Sequence, residues 1–132
     1  APQSLDTNRG QIVMSEIQVA FVGKVVFENP TLRPLLADHL NANQGEIFPY
    51  AFMSELAKCI SEGGVDSEST KSMLALMESS FDTQNDDDVS NLIAVGFVES
   101  LVALLPETSS IWKIVPPNIR EFARAWRNQE WR

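Results

Sequence analysis

Asp88-Val89-Ser90-Asn91-Leu92-Ile93-Ala94-Val95-Gly96-Phe97-Val98-Glu99-Ser100-Leu101-Val102-Ala103-Leu104-Leu105 decides the fold. Its apolar residues recur at helical spacing, and Leu92, Ile93, Val95, Phe97, Val98, Leu101, Val102, Leu104 and Leu105 leave little polar surface. A helix this apolar belongs at the centre of its domain. It is expected over residues 87–105, with Asp86, Asp87 and Asp88 at the N-terminus that acids favour and Pro106 closing it. Gly96 marks a place where a neighbour can come close.

The same period continues upstream. Asp82 to Asp86 read as a polar turn, preceded by a helix over 67–81 capped by Ser67 or Asp66, with Met73, Leu74, Leu76, Met77 and Phe81 inward. Gly63-Gly64 ends a helix that starts near Pro49 and buries Phe52, Met53, Leu56, Cys59 and Ile60. Before the break at Gln44-Gly45, Thr31 reads as an N-cap for a stripe of Leu32, Leu35, Leu36, His39 and Leu40. Asn29-Pro30 stops a first helix over 14–28, whose apolar side is expected at Ile17, Ala20, Phe21, Val25 and Phe27. Residues 1–13 read as a weakly ordered arm, and 14–132 as one helical domain. Downstream, Thr108 to Trp112 make a short turn, and Pro116-Pro117 introduce a last helix, 117–128, displaying Ile119, Phe122, Ala123 and Trp126. The expected fold is an all-α, single-domain bundle of about six helices.

A chain of 132 residues, 44% of them hydrophobic, is long enough to bury a core without staples. The single cysteine, Cys59, excludes an internal disulfide and a multi-thiolate metal site, and a thiol-bearing, disulfide-free chain suits the cytoplasm. No apolar run approaches the roughly 18 residues of a membrane span. The net charge of −8 opposes nucleic acid and anionic membranes as partners.

That charge is concentrated. Glu62, Asp66, Glu68, Glu78, Asp82, Asp86, Asp87 and Asp88 face one base, Lys71, so residues 62–88 carry −7. Bases normally intersperse a solvated helical face, and here favourable i,i+4 pairs are given up. Beside the plain reading, a solvated face with an N-terminal charge match, the run reads as a docking surface for a basic partner. The C-terminal stretch inverts the sign: residues 116–132 hold four arginines and two acids, net +2, against −10 for residues 1–115. Arg120, Arg124 and Arg127 share one helical stripe, which could meet nucleic acid with Trp126 and Trp131 stacking on bases. The structural alternative is a match to the helix C-terminus with acids of the body as partners.

Catalytic patterns are missing. His39 has no second ligand at helical spacing, so it reads as a histidine at the core margin. A calcium loop begun at Asp82 would place Asp87 where that loop needs Gly and Ile93 where it needs a bidentate acid. No Gly-x-Ser-x-Gly elbow, phosphate loop or His-Glu-x-x-His occurs. The chain reads as a non-enzyme without cofactor or metal.

Two stretches carry a resemblance. Asn43-Gln44-Gly45-Glu46-Ile47-Phe48-Pro49-Tyr50-Ala51-Phe52-Met53-Ser54-Glu55-Leu56 and Asp87-Asp88-Val89-Ser90-Asn91-Leu92-Ile93-Ala94-Val95-Gly96-Phe97-Val98-Glu99-Ser100-Leu101 resemble segments of a family of small bacterial helical proteins, a likeness that runs over about residues 17–126. These look like immunity proteins of polymorphic toxins, including contact-dependent growth inhibition systems. Tyr50 departs from the histidine common there. The resemblance implies a protein that neutralises a cognate toxin. A basic nuclease toxin would suit the acids, which would mimic its polyanionic substrate. The rival expectations are a helical adaptor or regulator binding through apolar surface, and a small hydrolase built on His39.

Overall fold

The computed structural model describes residues 15–84 and 87–129, which form an all-α single-domain bundle with no strand among them. Six helices make up the bundle: α1 (Glu16–Glu28), α2 (Arg33–Ala42), α3 (Pro49–Ser61), α4 (Ser67–Ser80), α5 and α6 (Pro117–Gln129). Helix α5 is continuous through Asp88–Asn91, Leu92–Val98 and Glu99–Leu104. The arm expected over residues 1–13 lies outside the described residues.

Helix α5 is central, as its composition requires. Leu92, Ile93, Phe97, Val98 and Leu101 are fully buried, and α5 packs most extensively against α3, whose Phe52, Met53 and Leu56 are fully buried too. Each such side chain withdrawn from water contributes roughly 1.5–3 kcal/mol before chain entropy is counted. Residues Leu92–Val98 are wound as a π-helix, shown by Glu99 N–H reaching Ala94 O five residues back. Just beyond this wide turn Ser100 Oγ donates to Gly96 O (3.0 Å) and is hydrogen-bonded with Ser54 Oγ of α3 (3.0 Å), whose hydroxyl can supply the second proton. The apolar periodicity alone predicts a regular α-helix here. The π register depends on contacts with α3 that periodicity does not record.

Four local expectations need correction. Thr31 is not an N-cap: Pro30–Leu32 form a 3-10 turn that runs into α2, and Thr31 Oγ1 pairs instead with Ser69 Oγ (2.8 Å). The buried side of α1 is Gln18, Phe21, Val22, Val25 and Val26, whereas Ile17 (60% exposed) and Phe27 (78%) face out. Gln18 can be buried because its amide donates to Tyr50 Oη (3.1 Å) and to Asp88 O (2.8 Å). Cys59 is half-buried, beside Gly64, where an added Cβ would lie 2.8 Å from the sulfur. The turn after Pro106 contains a 3-10 helix, Ser110–Ile114.

Candidate functional site

Helix ends explain where most of the acids sit. Asp66 is the N-cap of α4, accepting from Ser69 N (2.8 Å) and Ser69 Oγ (3.0 Å). Asp87 repeats this at α5, accepting from Ser90 N (2.8 Å) and Ser90 Oγ (3.1 Å). Glu68 and Asp88 occupy the first turns of the same two helices, where the N-terminal partial charge favours them. A shared Asp-x-x-Ser pattern, Asp66 to Ser69 and Asp87 to Ser90, was the available signal for these paired caps. The backbone N–H of Ser69 chiefly, with its hydroxyl, holds the Asp66 carboxyl below the ordinary aspartate value. A depressed folded-state value adds stability above the ordinary aspartate range, lost as pH falls through the lowered value. Asp66→Asn is therefore expected to flatten the acid limb of a stability-against-pH curve and leave the neutral region close to unchanged.

Glu78 was read as a partner-binding acid, and the structure gives it a clear internal role. From the last turn of α4 its carboxylate takes Asn118 N (2.9 Å) and Ile119 N (3.1 Å) of α6. Pro116 and Pro117 have no N–H, and Arg120 N already reaches Pro116 O (2.9 Å). Glu78 thus satisfies the two remaining donors at the start of α6, a complete account of that helix end. Glu78→Ala should cost about 2 kcal/mol, since two backbone donors lose a charged acceptor. Chemical denaturation would measure this, and a loss within the error of zero would mean that water caps α6 equally well.

The remaining acids are scattered. Asp82, at the α4–α5 turn, accepts from Gln84 N (2.9 Å) while its own N–H donates to Ser90 Oγ (2.8 Å). Glu62 is exposed at the C-terminus of α3, the end where an acid opposes the helix dipole. Asp86 lies outside the described residues. Helix α4, with 14 residues, is roughly 21 Å long at 1.5 Å per residue, and it splits the run into two poles. Glu62, Asp66 and Glu68 stand at its start; Glu78, Asp82, Asp87 and Asp88 gather around its end.

The second pole has apolar company. Tyr50 is half-exposed, its hydroxyl bonded to Gln18 and its ring 3.4 Å from the position of a Cβ on Gly96. Ile17 and Val95, each one residue before these contacts, are also exposed. Further along, α3 and α5 leave a groove of about 470 Å³ floored by Ala51, Ser54, Ser100 and Ala103 with Leu104 at its edge. Glu99 stands on α5 with its carboxyl pushed above the ordinary range by burial.

Ion pairing among the described residues involves other acids than most of this run. Among the described residues the pairs join His39 to Glu55 (2.9 Å) and Arg127 to Glu107 (3.5 Å). Glu62, Asp66, Glu68, Glu78, Asp87 and Asp88 meet no lysine or arginine there. Among the described residues, Glu107 is the acid seen paired with the arginine stripe. His39 is fully enclosed: Nδ1 faces Glu55 Oε1, and Nε2 accepts from Phe48 N (3.0 Å). Both ring nitrogens are engaged, which leaves none for a substrate or ligand. Among the described residues no group of three His, Cys, Asp or Glu converges as a metal set, and no helix is long and apolar enough to cross a membrane.

A family model described as a domain of unknown function (DUF7674) matches residues 22–132, from the middle of α1 to the end of the chain. No curated protein and no solved structure gives a significant match.

Proposed function

We propose that this chain, which belongs to the DUF7674 family, is an immunity protein that binds and neutralises a basic protein toxin, a nuclease domain suiting its charge best. The observation that carries this reading is the absence of basic partners for the exposed acids among the described residues. Glu62, Asp66, Glu68, Asp87 and Asp88 are all exposed. Caps explain the positions of Asp66 and Asp87, but they do not neutralise the field that reaches outward. Glu62 opposes the dipole of its own helix, a cost that no contact among the described residues offsets.

The pole at the start of α5 is the contact surface in this proposal. Asp87 and Asp88 would meet lysine and arginine of the toxin, while Tyr50, Ile17 and Val95 supply an apolar centre beside them. Charge at the rim accelerates encounter, and a buried aromatic centre slows release. Glu62, Asp66 and Glu68, at the other end of α4, extend the field without sharing the contact. An adaptor docking through the same apolar residues alone is the second reading, favoured by the exposure of Ile17 and Val95.

Salt separates the two. The chain would be used to capture partners from its native bacterium at low salt and again at high salt. A basic nuclease, released as salt rises and inhibited by added chain, is the expected result. A partner retained at high salt would move the weight to the apolar centre. The double variant Asp87→Asn/Asp88→Asn is the sharper probe, because asparagine caps a helix about as well as aspartate. It should cost little stability, through the lost charge of Asp88 in the first turn, and slow association by about tenfold at low salt. Unchanged association kinetics would remove this pole from the interface.

A further inference from the structure

Among the described residues, the arginines of α6 line a built cleft rather than a solvated stripe. It measures about 290 Å³ and lies between α6 and the turn before it, lined by Glu107, Trp112, Arg120, Ala123, Arg124 and Arg127. Two of its three guanidinium groups are fixed in place. Arg120 Nη2 donates to Val115 O (2.7 Å) and to Lys113 O (3.4 Å). Arg127 lies over the Trp112 ring, 5.2 Å from its centroid, with Nη1 3.5 Å from Glu107 Oε2. The indole is itself held, since Trp112 Nε1 donates to Pro106 O (3.0 Å).

These groups have more donors than the described residues give them acceptors. Arg127 Nη2 is enclosed with no hydrogen-bond partner among the described residues. Arg124 is exposed and makes no bond there. Three guanidinium charges against one carboxylate leave the lining at net +2. Holding like charges together costs free energy, and an enclosed donor without an acceptor adds to it.

We infer that this cleft binds a phosphate group in its dianionic form. The charge of the ligand equals the excess on the lining, and guanidinium forks match phosphate oxygens in geometry. The volume admits a single phosphate or monoester rather than a polymer. The acidic body repels an extended polyanion, yet its field fades over a Debye length of about 8 Å at physiological salt. A small dianion can therefore be drawn in where nucleic acid is turned away.

The test is titration of the ¹⁵N-labelled full chain with inorganic phosphate, phenyl phosphate and acetate at constant ionic strength, following the Trp112 indole N–H signal by NMR. Saturable shifts with either phosphate, and much weaker ones with acetate, are expected. Tighter binding of phenyl phosphate would assign the cleft to a monoester, and tighter binding of inorganic phosphate to the free ion. Arg124→Ala removes an exposed side chain, so the fold should persist while affinity falls by roughly tenfold or more. Arg33→Ala, on α2, should bind as the parent does. Equal response to acetate, non-saturating drift with all three anions, or undiminished affinity in Arg124→Ala would overturn the assignment.

Discussion

His39→Ala is expected to lose about 3–4 kcal/mol of stability, the range for removing a buried ring together with a hydrogen bond. The imidazole fills enclosed space and meets Phe48 and Phe52 edge-on, with ring centroids 6.5 Å and 5.6 Å away. The loss of its bond to Glu55 should cost little, because that carboxylate is 43% exposed and water can replace the imidazole. The bond from Phe48 N matters more. Phe48 is the N-cap residue of α3 and has no polar side chain to serve that end, so His39 Nε2 is what fastens the start of the helix. Truncation empties the space and strands a backbone donor together. Urea denaturation would read the change, and a loss below about 1 kcal/mol would contradict it, being less than a buried ring alone contributes. The same variant addresses the hydrolase reading. A histidine that acts only structurally leaves partner binding unchanged in the fraction that remains folded.

Gly96→Val should cost about 3 kcal/mol through overpacking of the α3–α5 crossing. Competing effects decide the size. A Cβ at this position would lie 3.1 Å from Met53 Cβ and 3.4 Å from both Leu92 Cδ1 and Tyr50 Cδ1. Met53 Cβ is attached directly to the backbone of α3 and cannot swing aside, so the helices must part by a few tenths of an ångström. Alanine compensates for that movement with about 1 kcal/mol of helix propensity, and Gly96→Ala should come out near neutral. Valine adds two methyl groups to a closed crossing and loses part of the propensity gain through β-branching. The comparison between the two variants is the measurement. Equal stability of the alanine and valine forms would mean that α3 and α5 are not in tight contact at Gly96.

These two residues show how far the sequence could be read. Gly96 was legible as a point of close approach, because a glycine inside so apolar a helix has few other uses. Which atoms approach it was not, nor was the π winding around it. His39 reads from sequence as a residue at the core margin, whereas its side chain is fully buried. Its pairing with Glu55, sixteen residues away, left no trace in spacing, because one helix end and one helix middle meet there across a loop.

The acids divide in the same manner. Asp66 and Asp87 could be placed at helix starts from local chemistry alone, and the repeated Asp-x-x-Ser pattern carried more than was taken from it. Glu78 could not be assigned to α6, since its two partners lie 40 and 41 residues on. Contiguity in sequence also suggested one anionic patch, whereas the length of α4 sets two poles apart. The inward side of α1 was misjudged because apolar residues occur on several of its faces. Gln18 turned inward once Tyr50 and the carbonyl of Asp88 were there to satisfy its amide.

What the sequence by itself determined is the part that local chemistry governs: six helices, their stops at Asn29-Pro30, Gly63-Gly64 and Pro106, the start of the last at Pro116-Pro117, and the central place of α5. Proline geometry, capping and hydrophobic period act within a few residues, so they can be read without knowing the neighbours. The tertiary structure alone decided which polar groups those neighbours satisfy. It gave Glu78 to α6, enclosed His39, separated the acids and built the arginine cleft around Trp112. Each of these depends on the distance between helices remote in sequence, which packing of the core sets and no local pattern encodes.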